Sequence, residues 1–327
     1  MITPNTRPLV SVIVPCFNTA LYLAATLESV QAQTFRDFEV LLVDDGSTDG
    51  TLAIMQGFAA RNERCKVIPL QQNQGIVAAR NAALTQACGD YIAMLDSDDI
   101  WTSDALAVRV DVARRHPSAH VIATDFAWFE NAPPAQPIGR VGLGPRAKRA
   151  FADSFATHEP TLLNDPFELV ATTHFAWTSA TLVRRAAMAA IGNFDPSFKG
   201  PEDTLLWLCL AQRGAFVFAP QLTAFYRQRP GSLVTLQNGP KELHYLKVLD
   251  WIRKVPGFAP HGSVIRRTAA ECHQVCVQHF RRSGDSAAAC SHALSAIKNR
   301  PQTWSYWRDL AAASLEAIGN RPQKLTQ

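Results

Sequence analysis

The sequence predicts an α/β fold: a Rossmann-like, mixed but mostly parallel sheet flanked by helices, with an α-helical appendage after it. Three observations carry this expectation. Short β-branched runs alternate with helical stretches over the first part of the chain. Those runs are apolar on both parities, as strands buried on both faces of a parallel sheet must be. The charge is also divided: residues 1–227 carry 18 Lys+Arg against 22 Asp+Glu, and residues 228–327 carry 14 against 6. A mildly acidic body therefore gives way to a basic tail. The expected boundaries are 1–230 for the α/β domain and 231–327 for the basic helical region.

The elements follow in order. Val10–Pro15 reads as the first buried strand, followed by a helix with Leu23, Leu27 and Val30 on one face. Glu39–Asp44 repeats the strand signal, and Ser47, Thr48 and Asp49 offer caps for a helix carrying Leu52, Met55 and Phe58. Cys65–Leu70 is a third strand, Gly75–Ala87 a third helix and Tyr91–Leu95 a fourth strand. Right-handed βαβ units of this kind place ligands beyond the carboxyl ends of the strands, and here those ends read PCFN, DDGS and DSDD. Residues 130–150, rich in Pro and Gly and closing on Arg146, Lys148 and Arg149, read as a long loop. A strand at Ala180–Val183, a helix ending at Gly192, a helix Thr204–Arg213 and a strand Ala215–Ala219 complete the body. The tail shows Leu243, Leu246 and Leu249 at helical spacing, then Val264–Arg282, Asp285–Lys298 and Thr303–Ile318, with Gly284 and Pro301 as punctuation. An α-hairpin appendage is expected.

Composition narrows the class. A chain of 327 residues with 47% hydrophobic and 18% charged residues can fill a sizeable core, which argues against long disorder. The acidic body lacks the clustered cations that a nucleic-acid groove needs, so no nucleic-acid partner is expected. Seven scattered cysteines read as buried reduced thiols of a cytoplasmic protein, not as a disulfide frame. Cys272 and Cys276 lie near His273 and His279, yet without a second Cys pair they read as core residues stacked at i, i+4. The uncharged run Leu9 to Leu27 is broken by Pro15, Asn18 and Thr19, so neither a signal peptide nor a membrane span is expected.

The chemistry concentrates at the strand ends. Asp96, Ser97, Asp98 and Asp99 place three carboxylates within four residues. Such acids repel one another unless a cation holds them, and carboxylates at i, i+2 can share one hard divalent ion. A solvated, helix-capping turn is the other reading. Asp44-Asp45-Gly46-Ser47 closes a neighbouring strand toward the same crevice, where helix capping is again the alternative. Phe17 after Pro15 and Cys16 can stack on a flat base. Arg80 can pair with a diphosphate or serve as an ordinary helix charge. Glu202-Asp203 opens an apolar helix, where acids either cap or react. Trp177 can wall a sugar or fill the core.

Five blocks taken together, VSVIVPCFN, FEVLLVDDGSTDGT, NQGIVAARNAAL, GDYIAMLDSDD and GNFDPSFKGPEDTLLWLCLAQRG, resemble family 2 glycosyltransferases of the GT-A fold. The resemblance covers about residues 9–230. It implies transfer of a sugar from a nucleotide-diphosphate donor to an acceptor hydroxyl, with inversion and with Mn²⁺ or Mg²⁺. It places Pro15, Phe17 and Asn18 at the base and ribose, Asp45 on the edge of the base, Arg80 near the nucleotide, and Asp96 on ribose or metal. Asp98 becomes the metal ligand, Asp203 the base and Glu202 its neighbour at the acceptor side. Where some relatives carry a metal-binding His after the Tyr near the domain's end, this chain reads Tyr226-Arg227-Gln228-Arg229, which leaves Arg227 to pair with diphosphate oxygens. The chain lacks the Gln-x-x-Arg-Trp segment of processive synthases, so transfer of a single sugar is expected. Stacking by Phe17 with a hydrogen bond accepted by Asp45 from the edge of the base favours a pyrimidine, with UDP as the nucleotide. The acceptor is then a glycan, a lipid-linked molecule or a protein, and a GT-A-like binding module without turnover is the rival reading. In the tail, Arg266-Arg267 and Arg281-Arg282 flank Val264, Ile265, Val275, Val277 and Phe280, a pattern of either a solvated face or a peripheral contact with an anionic inner-membrane surface.

Overall fold

The computed structural model describes residues 7–130, 143–198, 200–229 and 239–319. The chain divides into two compact units, Met1–Arg229 and Pro230–Gln327. In the first, β1 (Val10–Cys16), α1 (Ala20–Gln31), β2 (Phe38–Asp44), α2 (Thr51–Ala59), β3 (Cys65–Pro69), α3 (Ile76–Leu84) and β4 (Tyr91–Met94) alternate in the expected order. β1 pairs in parallel with both β2 and β4, and β2 with β3. Every residue of β1 is buried, which is why its sequence is apolar on both parities. The turn entering β4 approaches β1 so closely that a Cβ on Gly89 would stand 2.5 Å from the Ser11 nitrogen.

Past β4 come β5 (Ile100–Trp101), α4 (Ala105–Arg115), β6 (Val121–Phe129), α5 (Pro145–Ala150), α6 (Ala152–Thr157), β7 (Thr161–Leu163), α7 (Phe167–Thr173), β8 (Thr181–Arg184), α8 (Arg185–Ala190), α9 (Glu202–Ala211) and β9 (Phe216–Arg227). The sheet runs β3-β2-β1-β4-β8-β6-β9-β5, with β7 also on β9. It is mixed. β8 is antiparallel to β4 and β6, while the long β6–β9 ladder is parallel. The α/β sheet with flanking helices is as the sequence predicts.

Three expectations need correction. The loop read over 130–150 is helical over Pro145–Ala150, because Pro145 sits at the start of the helix and Ala147 seats it in the core; residues 131–142 lie outside the described residues. The helix expected from Thr204 starts at Glu202, and the strand expected to stop at Ala219 runs to Arg227. Sequence reading also passes over β6, whose apolar pattern is broken by buried Thr124 and Asp125. Both side chains have internal partners: Thr124 Oγ1 donates to the Ala180 carbonyl, and Asp125 Oδ1 accepts from the Phe126 amide. The β6–β9 register shifts on either side of Asp125, where β9 passes residues that β6 does not match, so β9 bulges opposite the point where the β6 pattern fails.

Arg109 of α4 is fully buried, and no salt bridge to a carboxylate is described for it. Its guanidinium donates to the Ser179 and Thr181 carbonyls and to Thr223 Oγ1, and lies 4.7 Å from the Trp101 ring centroid. Burial pushes its pKa down to about 9. These bonds fix the turn before β8 and the middle of β9 against α4.

The second unit comprises α10 (Glu242–Ile252), α11 (Gly262–Arg282), α12 (Ser286–Asn299) and α13 (Trp304–Gly319). Its core is built on small residues: Ala270, Ala296, Ile297 and Tyr306 form one cluster, and Val277, Ala289, Ala293 and Ala313 another. Asp285 caps α12 by accepting from the Ala288 amide. Cys272 and Cys276 are buried as expected, with thiols pushed up to about 12 by burial first, so they stay protonated. Between α11 and α12, His273 Nδ1 and His292 Nδ1 stand 2.8 Å apart, and the His292 ring stacks on Phe280.

Burial, the neighbouring His292 and Arg253 bring His273 down to about 4, and burial lowers His292 as well. A histidine released by unfolding takes its proton near its usual pKa of about 6.5, whereas folded His273 refuses it until about pH 4. His273 therefore makes the helical unit lose stability as pH falls from about 6.5 toward 4. Thermal unfolding followed at pH 7.5, 5.5 and 4 should show this decline, and His273→Gln should flatten it.

Candidate active site

The loops after β1 and β2 are sewn to each other. Asn18 adopts φ +51°, and its Oδ1 accepts from the Thr48 amide while its own amide donates to Ser47 Oγ. Asp49 starts two helices at once, accepting from the Ala20 amide of α1 and from the Thr51 amide and hydroxyl of α2. The N-cap of α2 is Gly50, not a residue of the Ser47-Thr48-Asp49 run; Asp49 supports the helix from the position before it, while Ser47 serves the neighbouring loop. Gly46, at φ +74°, has no room for a side chain: a Cβ there would lie 2.6 Å from the Gln72 carbonyl carbon.

Asp45 is 3% exposed, and its two oxygens accept from the Gln74 and Gly75 amides at 2.8 Å each. It therefore closes the entrance to α3 from the end of β2, where the helix dipole favours an anion. Pro15 is buried in β1, whereas Phe17 is 43% exposed and presents its ring at the mouth. Cys16 between them is buried, and burial with nearby Asp44 holds its thiol well above the ordinary value.

The acids meet on Arg80. From α3 its guanidinium, 3% exposed, pairs with Asp96 Oδ1 at 2.9 Å and with Glu202 Oε1 at 2.7 Å, and it lies over the Phe194 ring. One buried cation thus joins the loop after β4 to the first turn of α9. Burial raises the Asp96 carboxyl, Arg80 opposes that, and the neighbouring Asp98 and Asp203 raise it further. Burial likewise raises Glu202 against the pull of Arg80. Asp203 turns the other way, accepting from the Thr204 amide at 2.6 Å and from Thr178 Oγ1 at 3.5 Å.

Asp98 pairs with Arg229, Nε to Oδ2 at 2.5 Å, and its carbonyl accepts from Arg227 Nε. Arg227, expected on a diphosphate, is 7% exposed and packs over Phe129 and Tyr22. Asp99 is fully buried and accepts from Ser179 Oγ at 2.5 Å and from the Arg227 amide at 3.1 Å. Burial first, then Asp96 and Asp98, hold it well above the carboxylate range. Trp177 is half-buried, stacked on Phe126 at 5.1 Å and edge-on to Tyr226 at 4.6 Å. It belongs in part to the core, and each such ring pair adds about 0.5–1.5 kcal/mol beyond its buried area.

The strand ends thus bring Asp45, Arg80, Asp96, Asp98, Glu202 and Asp203 to one side of the sheet. Sequence reading missed Arg229, Ser179 and Thr178, which hold three of the acids. Among the described residues no group of three or more His, Cys, Asp or Glu side chains is arranged to hold a metal ion. The described hydrogen bonds leave Asp96 Oδ2 and Asp98 Oδ1 without a partner, which are hard oxygen donors of the type divalent cations take.

Removing the shared cation tests this account of the acids. Arg80→Met leaves the partly buried Asp96 and Glu202 without their cation, a loss of about 1–3 kcal/mol near neutral pH once solvent screening is allowed for. Because both carboxyls are raised by burial, protonation relieves the variant in acid. Urea unfolding should show a deficit that is largest at pH 7.5 and smaller at pH 5.

The model of the Glycosyl transferase family 2 matches residues 11–192. The chain is 45% identical over 107 residues to a putative teichuronic acid biosynthesis glycosyltransferase, TuaG, of Bacillus subtilis, a match covering 33% of this chain and 42% of that protein. Among solved structures it is similar to S. aureus TarS in complex with UDP-GlcNAc, with TM-score 0.67, 20% identity and coverage of 95% of this chain and 88% of that one. It is also similar to the mannosyltransferase PcManGT of Pyrobaculum calidifontis in complex with GDP-Man and Mn²⁺, with TM-score 0.55, 18% identity and coverage of 98% and 89%. The sheet with its flanking helices is thus of the GT-A type, and by its matched residues the chain belongs to the Glycosyl transferase family 2.

Proposed function

We propose that the chain is a non-processive, inverting glycosyltransferase that moves one sugar from a UDP-linked donor to an acceptor hydroxyl with the help of Mn²⁺ or Mg²⁺. The observation that carries this reading is the bridge at Arg80, which sets the acids after β4 and the acids opening α9 on two arms of one guanidinium. A donor needs the first group beside its diphosphate, and an acceptor needs the second beside its hydroxyl.

In this reading Pro15, Phe17 and Asn18 receive the base and ribose, and Asp45 adds to its two amide bonds a contact with the edge of the base. Asp98 and Asp96 would hold the divalent ion through their remaining oxygens. A cation bound there supplies charge that offsets the leaving diphosphate. Arg227 and Arg229 lend positive charge on the side of Asp98. Asp203 takes the acceptor proton as the new bond forms on the face opposite the leaving group, and one such displacement inverts the anomeric centre. Glu202, engaged with Arg80, positions that first turn. The bound nucleotides of TarS and PcManGT support the donor class for this chain.

Two substitutions separate binding from chemistry. Asp203→Asn should lower transfer by about 10²–10⁴-fold while leaving UDP affinity in calorimetry near that of the native chain. Asp98→Asn should abolish the gain in UDP affinity that Mn²⁺ gives. UDP bound tightly by a native chain that transfers no sugar would instead support a binding module, and GDP bound more tightly than UDP would overturn the choice of base.

The tail's proposed partner is an anionic membrane surface, through a different helix from the one the sequence suggested. Ile265 and Val277 of α11 are core residues, and Arg281 is paired with Glu316. Val275 of α11 and Leu294 of α12 are exposed singly, whereas α13 gathers four exposed apolar side chains, Trp304 (77%), Trp307 (46%), Leu315 (71%) and Ile318 (66%), spaced to fall on one helix face. No helix among the described residues is long and apolar enough to cross a membrane. Interfacial tryptophans with nearby cations suit a surface contact. The full chain should float with phosphatidylglycerol vesicles at low salt and release at high salt, and Trp304→Ala with Leu315→Ser should remain in the bottom fraction throughout.

A further inference from the structure

The aromatic residues where β6 and β9 end have no part in the roles assigned above. Beyond the bulge, Phe126 and Trp128 share one face of β6, whereas Ala127, Phe129 and Phe225 pack together on the other. Four rings on the first face touch in a row. Phe126 stacks on Trp177 at 5.1 Å, Trp177 meets Tyr226 edge-on at 4.6 Å, and Tyr226 meets Trp128 at 6.3 Å. The row begins at a buried ring, Phe126 (2% exposed), and ends at an open one, Trp128 (44% exposed). An indole braced from behind and open in front is a fixed apolar plate, which is what a ligand with one flat apolar face requires.

Its place in the sheet says which ligand. Trp177 immediately precedes Thr178, the donor to Asp203, and Tyr226 immediately precedes Arg227, whose amide donates to Asp99. β6 stands three strands from β1 in the sheet order, with β4 and β8 between, and at about 4.8 Å per strand that is roughly 14 Å from the loop bearing Phe17. A base stacked at Phe17 cannot also cover Trp128. The molecule reaching the plate is the one whose hydroxyl must approach Asp203. A pyranose carries C–H bonds on one face and hydroxyls around its rim, so its face can rest on an indole while the rim stays hydrated, as at a ring that is 44% exposed.

We propose that Trp128 and Tyr226, braced by Trp177, form a sugar-stacking subsite and that the acceptor of this enzyme is therefore a glycan. The proposal rests on the transferase reading above, and its test keeps the two apart. The full chain is titrated with tetrasaccharides of glucose, galactose, N-acetylglucosamine and N-acetylgalactosamine, followed by tryptophan fluorescence and saturation-transfer NMR, and separately with UDP and Mn²⁺ by calorimetry. At least one tetrasaccharide should bind the native chain, about tenfold more weakly to Trp128→Leu and Tyr226→Leu, and near normally to Trp128→Phe, which keeps a ring. UDP affinity should be the same in all four proteins. No tetrasaccharide binding, equal binding by the leucine variants, or transfer to a peptide or lipid lacking sugar that Trp128→Leu does not impair would each overturn the subsite. Failure of the native chain to bind UDP would instead overturn the transferase reading.

Discussion

A guanidinium withdrawn from water needs compensating partners, and Arg80 finds carboxylates on two elements more than a hundred residues apart in sequence. That requirement sets the site. The helix carrying Arg80 is itself anchored at its entrance by Asp45, so the cation is referred to the end of β2 as well as to β4 and α9. Asp96 and Glu202 can remain in a crowded, partly buried position because Arg80 offsets the charge that burial would otherwise neutralise. Relaxing this bridge would separate the acids after β4 from those opening α9 without altering a single strand.

The other half of the sheet solves a related problem with neutral partners. Asp99 and Arg109 are both fully buried, yet neither is paired with an opposite side-chain charge within the described salt bridges. Asp99 is held by a hydroxyl and a backbone amide, and Arg109 by carbonyls and a hydroxyl. Ser179 serves both, through its side chain to the acid and its carbonyl to the arginine. The turn before β8 is thereby fixed between the acid loop and α4, which explains how Thr178, one residue earlier, comes to lie beside Asp203.

Legibility in the sequence followed burial. The β1 to β4 half was readable because its strands are mainly apolar and its loops mainly polar, and Asp45, Asp96 and Asp98 stood out there as acids at strand ends, with Arg80 a lone charge in α3. β6 was not readable, since Thr124 and Asp125 are polar residues satisfied inside the sheet and they disguise a central strand as a loop. The extension of β9 was hidden by Pro220, which reads as a stop but lies where the ladder is irregular. Arg229 was invisible as a partner of Asp98 because nothing local marks a contact across 131 positions. In the tail, the heptad-like spacing of apolar residues announced helices but could not say which helix keeps its stripe outside.

The irregular ladder between β6 and β9 has a consequence for how this chain can change. Thr124 pairs with Ala219, Asp125 with Leu222 and Phe126 with Ala224, so β9 passes three residues that β6 does not match. Three is odd, and side chains on a strand alternate with period two. The slack in the ladder therefore works as a phase setting for the end of β9: it sends Tyr226 to the face of Trp128 and Arg227 to the face of Phe129. Loss or gain of one residue between Pro220 and Thr223 would exchange those faces, turning the arginine toward the indoles and the tyrosine toward the acid loop. Length variation in this short stretch is thus constrained to even steps, whatever freedom its sequence has.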